Sequence, residues 1–356
     1  MISLQRRGFD LGVVDPTYLP KSNDSLENWA LGRAVLVRQA CANLIAQAQT
    51  EIMRSEKLYQ SILAGEDCDR LLSSNPYQDI DLNFECLGSS INQGDAQEIE
   101  TIVFDALKEG KPVAEDLWLK VAWLSFHPDD ASMRFRFSFG VEHIEDVAAD
   151  PMRQNYAAAL ADAVFPESRV ITSNQDLLET LYHILGCQEV RFVERIVYFN
   201  APEGGAYLHH DLERGHAGVV YAQISGSTFW LALPKHQLLK ELLDFVKCCQ
   251  TQNKWPTTID PSMRTEITLL CADQNAVAEQ LETFANSSLI HLINECKEFV
   301  QQLIVNGHGR MLEAGDVLLL PQADEDSCCW HTVFTLGDTA GEALSFAVRA
   351  VENGGS

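Results

Sequence analysis

The sequence predicts a mainly β protein with flanking helices, built on an antiparallel barrel or jelly roll whose mouth carries a helical insertion. Three observations predict it. Short runs of aromatic and branched residues begin at Leu117 and recur with turns between them. The runs break off after residue 235, give way to helical periodicity, and resume near Gly309. No strand–GxGxxG–helix unit occurs and no repeated βαβ spacing is visible, which argues against a doubly wound parallel sheet.

Residues 1–115 read as a helical N-terminal region. SLENWALGRAVLVRQACANLIAQAQTEIMRSEKLYQSIL follows cap candidates Asn23, Asp24 and Ser25 and sets apolar residues at helical spacing. EIETIVFDALKEG adds another helix, stopped at Gly110. A first part of the β core is expected over 116–235. In MRFRFSFGVEH, Met133, Phe135, Phe137 and Phe139 share one face, and Arg134, Arg136 and Ser138 share the other. QNYAAALADAVF and DLLETLYHILG interrupt with helices, after which VRFVERIVYFN, VVYAQ and STFWLALP return to strand. Residues 236–305 form the insertion or lid: HQLLKELLDFVKCC, NAVAEQLETFA and SSLIHLINECKEFVQQLIV are all helix-like. The second part of the core, 306–356, supplies GHGRMLEAGDVLLLP, WHTVFTL and ALSFAVRA.

Composition narrows the partners. The formal net charge is −25 and no basic stripe occurs, so a nucleic-acid backbone is an unfit partner. An acidic chain also needs a locally positive pocket to hold any anionic ligand. Neither a secretory leader nor a stretch long enough to span a membrane is visible, and the expected location is cytoplasmic. The ten cysteines include no C-x-x-C pair and read as small hydrophobes in a reducing compartment. The N-terminal helices could serve a homodimer.

The chemistry concentrates in YLHHDLERGH, residues 207–216. In an extended segment residues i and i+2 point the same way, so His209 and Asp211 approach one ion while His210 points away. An imidazole with a carboxylate suits a divalent first-row metal, and one further histidine would leave open positions for reactants. His216, His236, His291 and His308 are candidates, but His331 in CCWHTVFTLGD is the strongest. It follows the strand GDVLLLP and begins another, where a hairpin at a barrel mouth would return it to the first pair.

YFNAPEGGAYLHHD, AQISGSTFWLALP and GDVLLLP…WH together resemble the metal-binding core of the JmjC-like, cupin-type Fe(II)/2-oxoglutarate-dependent dioxygenases, over roughly residues 190–235 and 312–349. The resemblance implies a double-stranded β-helix, with the family's HxD on His209 and Asp211 and its second histidine on His331. It implies Fe(II) and 2-oxoglutarate as cofactors. Several members carry a cosubstrate-binding lysine where this chain has Thr228. The distal carboxylate of 2-oxoglutarate is therefore assigned to Arg349 on ALSFAVRA, with Thr228 donating a second hydrogen bond. Arg195 and Lys235 are alternative anchors. Trp230, Trp330, Tyr198 and Tyr207 are candidate cavity residues. The implied reaction is hydroxylation of an unactivated C–H in a small molecule, such as an amino acid or specialised metabolite. A protein or peptide side-chain hydroxylase, a cupin metalloenzyme working without 2-oxoglutarate, and a non-enzymatic binding protein with a degenerate site are the other readings.

Overall fold

The computed structural model describes residues 1–20, 25–125, 127, 129–141, 150–213, 215–283, 287–325 and 328–351. The chain opens with a hairpin, β1 (Ile2–Arg6) and β2 (Phe9–Val14), turned by Arg7 and Gly8, both at positive φ. Then come α1 (Ser25–Ala30), β3 (Val35–Val37), α2 (Ala42–Gln47), α3 (Gln49–Leu63) and α4 (Cys68–Leu72). A meander follows: β4 (Phe84–Ser90), β5 (Glu98–Lys108), β6 (Lys111–Trp123) and β7 (Met133–Phe139). After α5 (Pro151–Val164), α6 (Arg169–Thr172) and α7 (Gln175–Leu185) the chain runs through β8 (Val190–Asn200), β9 (Gly218–Gln223) and β10 (Ser227–Pro234). Five helices are inserted there: α8 (Lys235–Gln252), α9 (Pro261–Leu270), α10 (Gln274–Glu282), α11 (Ser288–Glu295) and α12 (Lys297–Val305). β11 (Gly309–Glu313), β12 (Val317–Pro321), β13 (Cys329–Leu336) and β14 (Gly341–Ala350) close the fold.

The fold is mainly β with flanking helices. Nine strands form one antiparallel sheet in the order β3-β12-β9-β14-β8-β7-β6-β5-β4, and three form a second in the order β11-β10-β13. One core packs α2–α7 against the outer face of the large sheet, through Tyr59, Phe135, Phe165 and Phe199. A second packs α8–α12 against the outer face of the small sheet, through Phe229, Leu231, Leu233 and Phe334. A third, smaller core lies between the sheets, with Tyr221, Trp230, Leu318 and Leu320. The alternation of β10 explains this layering: Phe229, Leu231 and Leu233 join the outer core while Trp230 and Ala232 join the inner one.

The N-terminal region departs from the expected run of helices. Glu98–Lys108 is a strand, because Glu100, Ile102, Phe104 and Ala106 alternate inward and both edges are paired, to β4 and β6. The long helix expected from Ser25 breaks at Leu31 and Gly32, the latter at φ +69, and Val35–Val37 joins β12 as an edge strand. The cap candidates Asn23 and Asp24 and the side chain of Ser25 lie outside the described residues. Elsewhere in the chain, the strands and helices expected from Met133 onward are present. Among the described residues no helix is long and apolar enough to cross a membrane.

Candidate metal centre

Gly204 and Gly205 steer the segment that carries the HxD pair. A Cβ on Gly205, which sits at φ +120, would stand 2.1 Å from the Val333 carbonyl oxygen, so only glycine permits this approach to β13. Past that point the segment follows β13 in antiparallel fashion. Val333 N–H donates to the Ala206 carbonyl at 3.0 Å, and His209 and His331 exchange backbone hydrogen bonds of 3.0 and 2.8 Å.

Two outside elements clamp the segment. Arg6, only 1% exposed, donates to the Ala206 and Asn294 carbonyls at 3.0 and 2.5 Å and to the Thr332 hydroxyl at 2.6 Å. Its guanidinium lies 4.5 Å from the ring centroids of both Tyr207 and Phe334. Burial and then the adjacent Arg7 pull its pKa down to about 9, so it stays a cation at neutral pH. From α11, the Asn294 side chain accepts from Leu208 N–H at 2.8 Å, and the Tyr207 hydroxyl donates to Glu295 at 2.5 Å. Neither Arg6 nor Asn294 was marked by any local sequence motif.

The three expected ligands converge. One ligand atom from each of His209, Asp211 and His331 lies within 4.8 Å of the others. The two imidazole Nε2 atoms stand 3.5 and 3.4 Å from the two Asp211 oxygens, and the ring centroids are 4.3 Å apart. Both Nδ1 atoms face backbone carbonyls, that of His209 on Tyr207 at 2.6 Å and that of His331 on Cys329 at 3.2 Å. A proton on each Nδ1 satisfies these contacts and turns the Nε2 lone pairs toward Asp211, the orientation a metal requires.

The charge states of Asp211 and His331 agree with this, while Asp211 favours a proton on His209 that a bound cation would displace. Burial opposes ionisation of Asp211, but the His331 and His209 imidazoles outweigh it and hold the carboxyl below its usual range. Burial, then repulsion from His209, lowers His331 to about 4. His209 is opposed by burial too, yet its hydrogen bond to Asp211 raises it. An anionic carboxylate beside neutral His331 forms a donor set fit for a divalent cation.

The other histidines are elsewhere. His210 turns its Nε2 to Glu282 at 2.8 Å. His291 pairs with Glu295 and His308 with Glu241, while His236 is exposed. His216 is buried and groups with Glu194 and Glu213, where Arg136 already forms an ion pair with Glu194.

The triad opens into a cavity of about 1220 Å³ between the two sheets, with Trp230, Tyr198 and Tyr207 in its wall. Trp230 stacks on His331 at 5.3 Å and meets Tyr221 edge-on at 4.5 Å. Trp330 is fully buried in the core beneath the inserted helices instead. Thr228 does not line the cavity: its hydroxyl donates to Gln223 at 2.8 Å and accepts from the Trp230 indole at 2.9 Å, bracing the wall from behind. Arg349 is not a lining residue either; its guanidinium packs 3.3 Å from where a Cβ of Gly215 would stand. Arg195 faces α5 and pairs with Asp162, and Lys235 pairs with Glu282. No protein-family model matches the chain, and no curated protein matches it in sequence.

Proposed function

We propose that the protein is an Fe(II)/2-oxoglutarate-dependent oxygenase of the double-stranded β-helix class. The convergence of His209, Asp211 and His331 at the mouth between two sheets carries the reading. Strand order supports the fold assignment. From β8 onward, β8, β9, β12 and β14 lie together as β12-β9-β14-β8 in the large sheet. The His209 segment, β13, β10 and β11 face them in that order. The chain crosses between these two layers as a jelly roll does.

When bound, Fe(II) with 2-oxoglutarate and dioxygen supplies the oxidising power to hydroxylate an unactivated C–H. The residues hold and shield that centre. His209, Asp211 and His331 would hold the ion, and the cavity they line would leave space beside it for reactants. Asp211 offsets part of the cationic charge, and the backbone bridge between His209 and His331 fixes the two imidazoles. Trp230, Val333 and Leu320 present apolar surface on the cavity side, which keeps water from the reacting position. A cavity of about 1220 Å³ exceeds the needs of a keto acid alone and leaves room for a small-molecule substrate.

The placement of Thr228 and Arg349 outside the cavity wall favours a second reading, a cupin-type metalloenzyme that works without a keto acid. One titration separates the two. Anaerobic Fe(II)-loaded protein should develop a visible charge-transfer band as 2-oxoglutarate is added. A folded, iron-loaded protein with no such band excludes the keto-acid reading and leaves the second.

A further inference from the structure

Three arginines line the cavity, and two are committed. Arg7 pairs with Asp130 at 2.9 Å and donates to the Gly205 carbonyl at 2.6 Å. Arg136 is ion-paired with Glu194. Arg134, two residues along the same face of β7, has no carboxylate within ion-pairing distance among the described residues. Its cross-strand partner in the β7–β8 ladder is Tyr198, which shares the cavity wall and whose hydroxyl has no hydrogen-bond partner among the described residues. A chain with a net charge of −25 thus keeps an uncommitted guanidinium and an uncommitted phenol as cross-strand neighbours in the wall of this cavity. Both are donors, and side-by-side donors on a wall of restricted solvent access match a carboxylate.

Position agrees with this chemistry. Tyr198 lies close enough to the metal centre for the Asp211 carboxylate to act on it, while Arg134 acts on it in the opposite sense. The phenol, the guanidinium and the three candidate ligands all line the same cavity. A ligand that chelates at one end and carries a negative charge at the other would span this arrangement.

We propose that Arg134 and Tyr198 form a carboxylate cradle, which receives an acid group of either the keto-acid cosubstrate or a carboxylate-bearing substrate. Naming these ligands rests on the oxygenase reading. The cradle supplies the positive site that neither Arg349 nor Thr228 provides within the cavity wall.

The test uses the full chain loaded with Mn(II) and calorimetric titration of 2-oxoglutarate and of pyruvate, which chelates alike but lacks the distal carboxylate. Wild type should bind 2-oxoglutarate at least about tenfold more tightly than pyruvate. Arg134→Gln should erase that difference while leaving the affinities for pyruvate and Mn(II) unchanged, and Arg134→Lys should restore part of it. Tyr198→Phe should weaken 2-oxoglutarate by about threefold to tenfold. If 2-oxoglutarate binding survives in Arg134→Gln, the substrate is the source. Mn(II) should then broaden the proton signals of added benzoate in the 2-oxoglutarate-saturated wild type and not in the variant. Unchanged behaviour of Arg134→Gln with both probes overturns the cradle. A wild type that takes up no Mn(II) overturns the metal centre instead, and benzoate binding to metal-free wild type and Arg134→Gln then decides the cradle alone.

Discussion

His209 and His331, far apart in the chain, face each other across an isolated antiparallel bridge and exchange both of its backbone hydrogen bonds, at 3.0 and 2.8 Å. The bridge fixes the distance between two Cα atoms and therefore between two imidazoles. Asp211 lies just beyond it, with its carboxylate oxygens near both Nε2 atoms. Replacing His331 or Asp211 by Ala should lower Mn(II) affinity by more than about a hundredfold, the upper range for losing a group outside the coordination shell. His210→Ala should change it by less than about threefold, because that imidazole engages Glu282. Electron paramagnetic resonance of free Mn(II) reads both outcomes.

The bridge depends on Gly205. Gly205→Ala would press a methyl group against the Val333 carbonyl at 2.1 Å and impose a side chain at φ +120. The segment from residue 204 to 209 should part from β13, costing at least about 2 kcal/mol of stability by steric and backbone strain. Urea unfolding should show the loss, with Mn(II) affinity falling in parallel. A Gly205→Ala protein of wild-type stability and metal affinity would contradict this role for the turn.

Arg6 holds the same segment from the other side. Arg6→Met keeps much of the contact with Tyr207 and Phe334 but removes the donors to two backbone carbonyls and the Thr332 hydroxyl. The Ala206 carbonyl keeps its donors from Val333 N–H and the Thr332 hydroxyl. The Asn294 carbonyl loses a charged donor worth about 1.5–3 kcal/mol, so the variant should lose stability on that order. Its chemical-shift changes should concentrate in residues 204–209 and 330–334, where the clamp acts. Changes confined to the N-terminal hairpin would refute the clamp.

The convergence of His209, Asp211 and His331 was legible from the strand pattern on each side of the helical insertion. HxD on an extended segment puts two ligands on one side, and His331 stands at the start of a strand that follows a turn. β5 was not legible. Ile99, Ile102, Val103, Ala106 and Leu107 keep helical spacing, while Ile102, Phe104 and Ala106 also alternate, and pairing with β4 and β6 decides between the two periods. Arg134 and Tyr198 could be placed on strands from their own neighbourhoods, but their meeting depends on the β7–β8 register. The displacement of Thr228 from the cavity has the same origin, since Gln223 and Trp230 take up its hydroxyl only once β9 and β10 have packed.

A pair of buried carboxyls, Glu167 and Glu342, should make stability depend on pH. Glu167 and Glu342 are each 1% exposed, and the Ser55 hydroxyl donates to Glu342 at 2.7 Å. Burial, and for Glu342 the neighbouring Glu167, raise both above the usual carboxylate value of 4.5. In the unfolded chain both ionise near their ordinary value, whereas the folded protein retains protons to higher pH. The folded state thus binds more protons than the unfolded one between the two ranges, so stability falls as pH rises from about 4.5 through the folded pKa values. Glu342→Gln keeps the shape and a hydrogen-bonding amide but removes the charge. It should leave the melting temperature unchanged near pH 4 and raise it at pH 8 by on the order of 2–4 °C. Parallel melting curves of variant and wild type across that range would show that the pair ionises without cost.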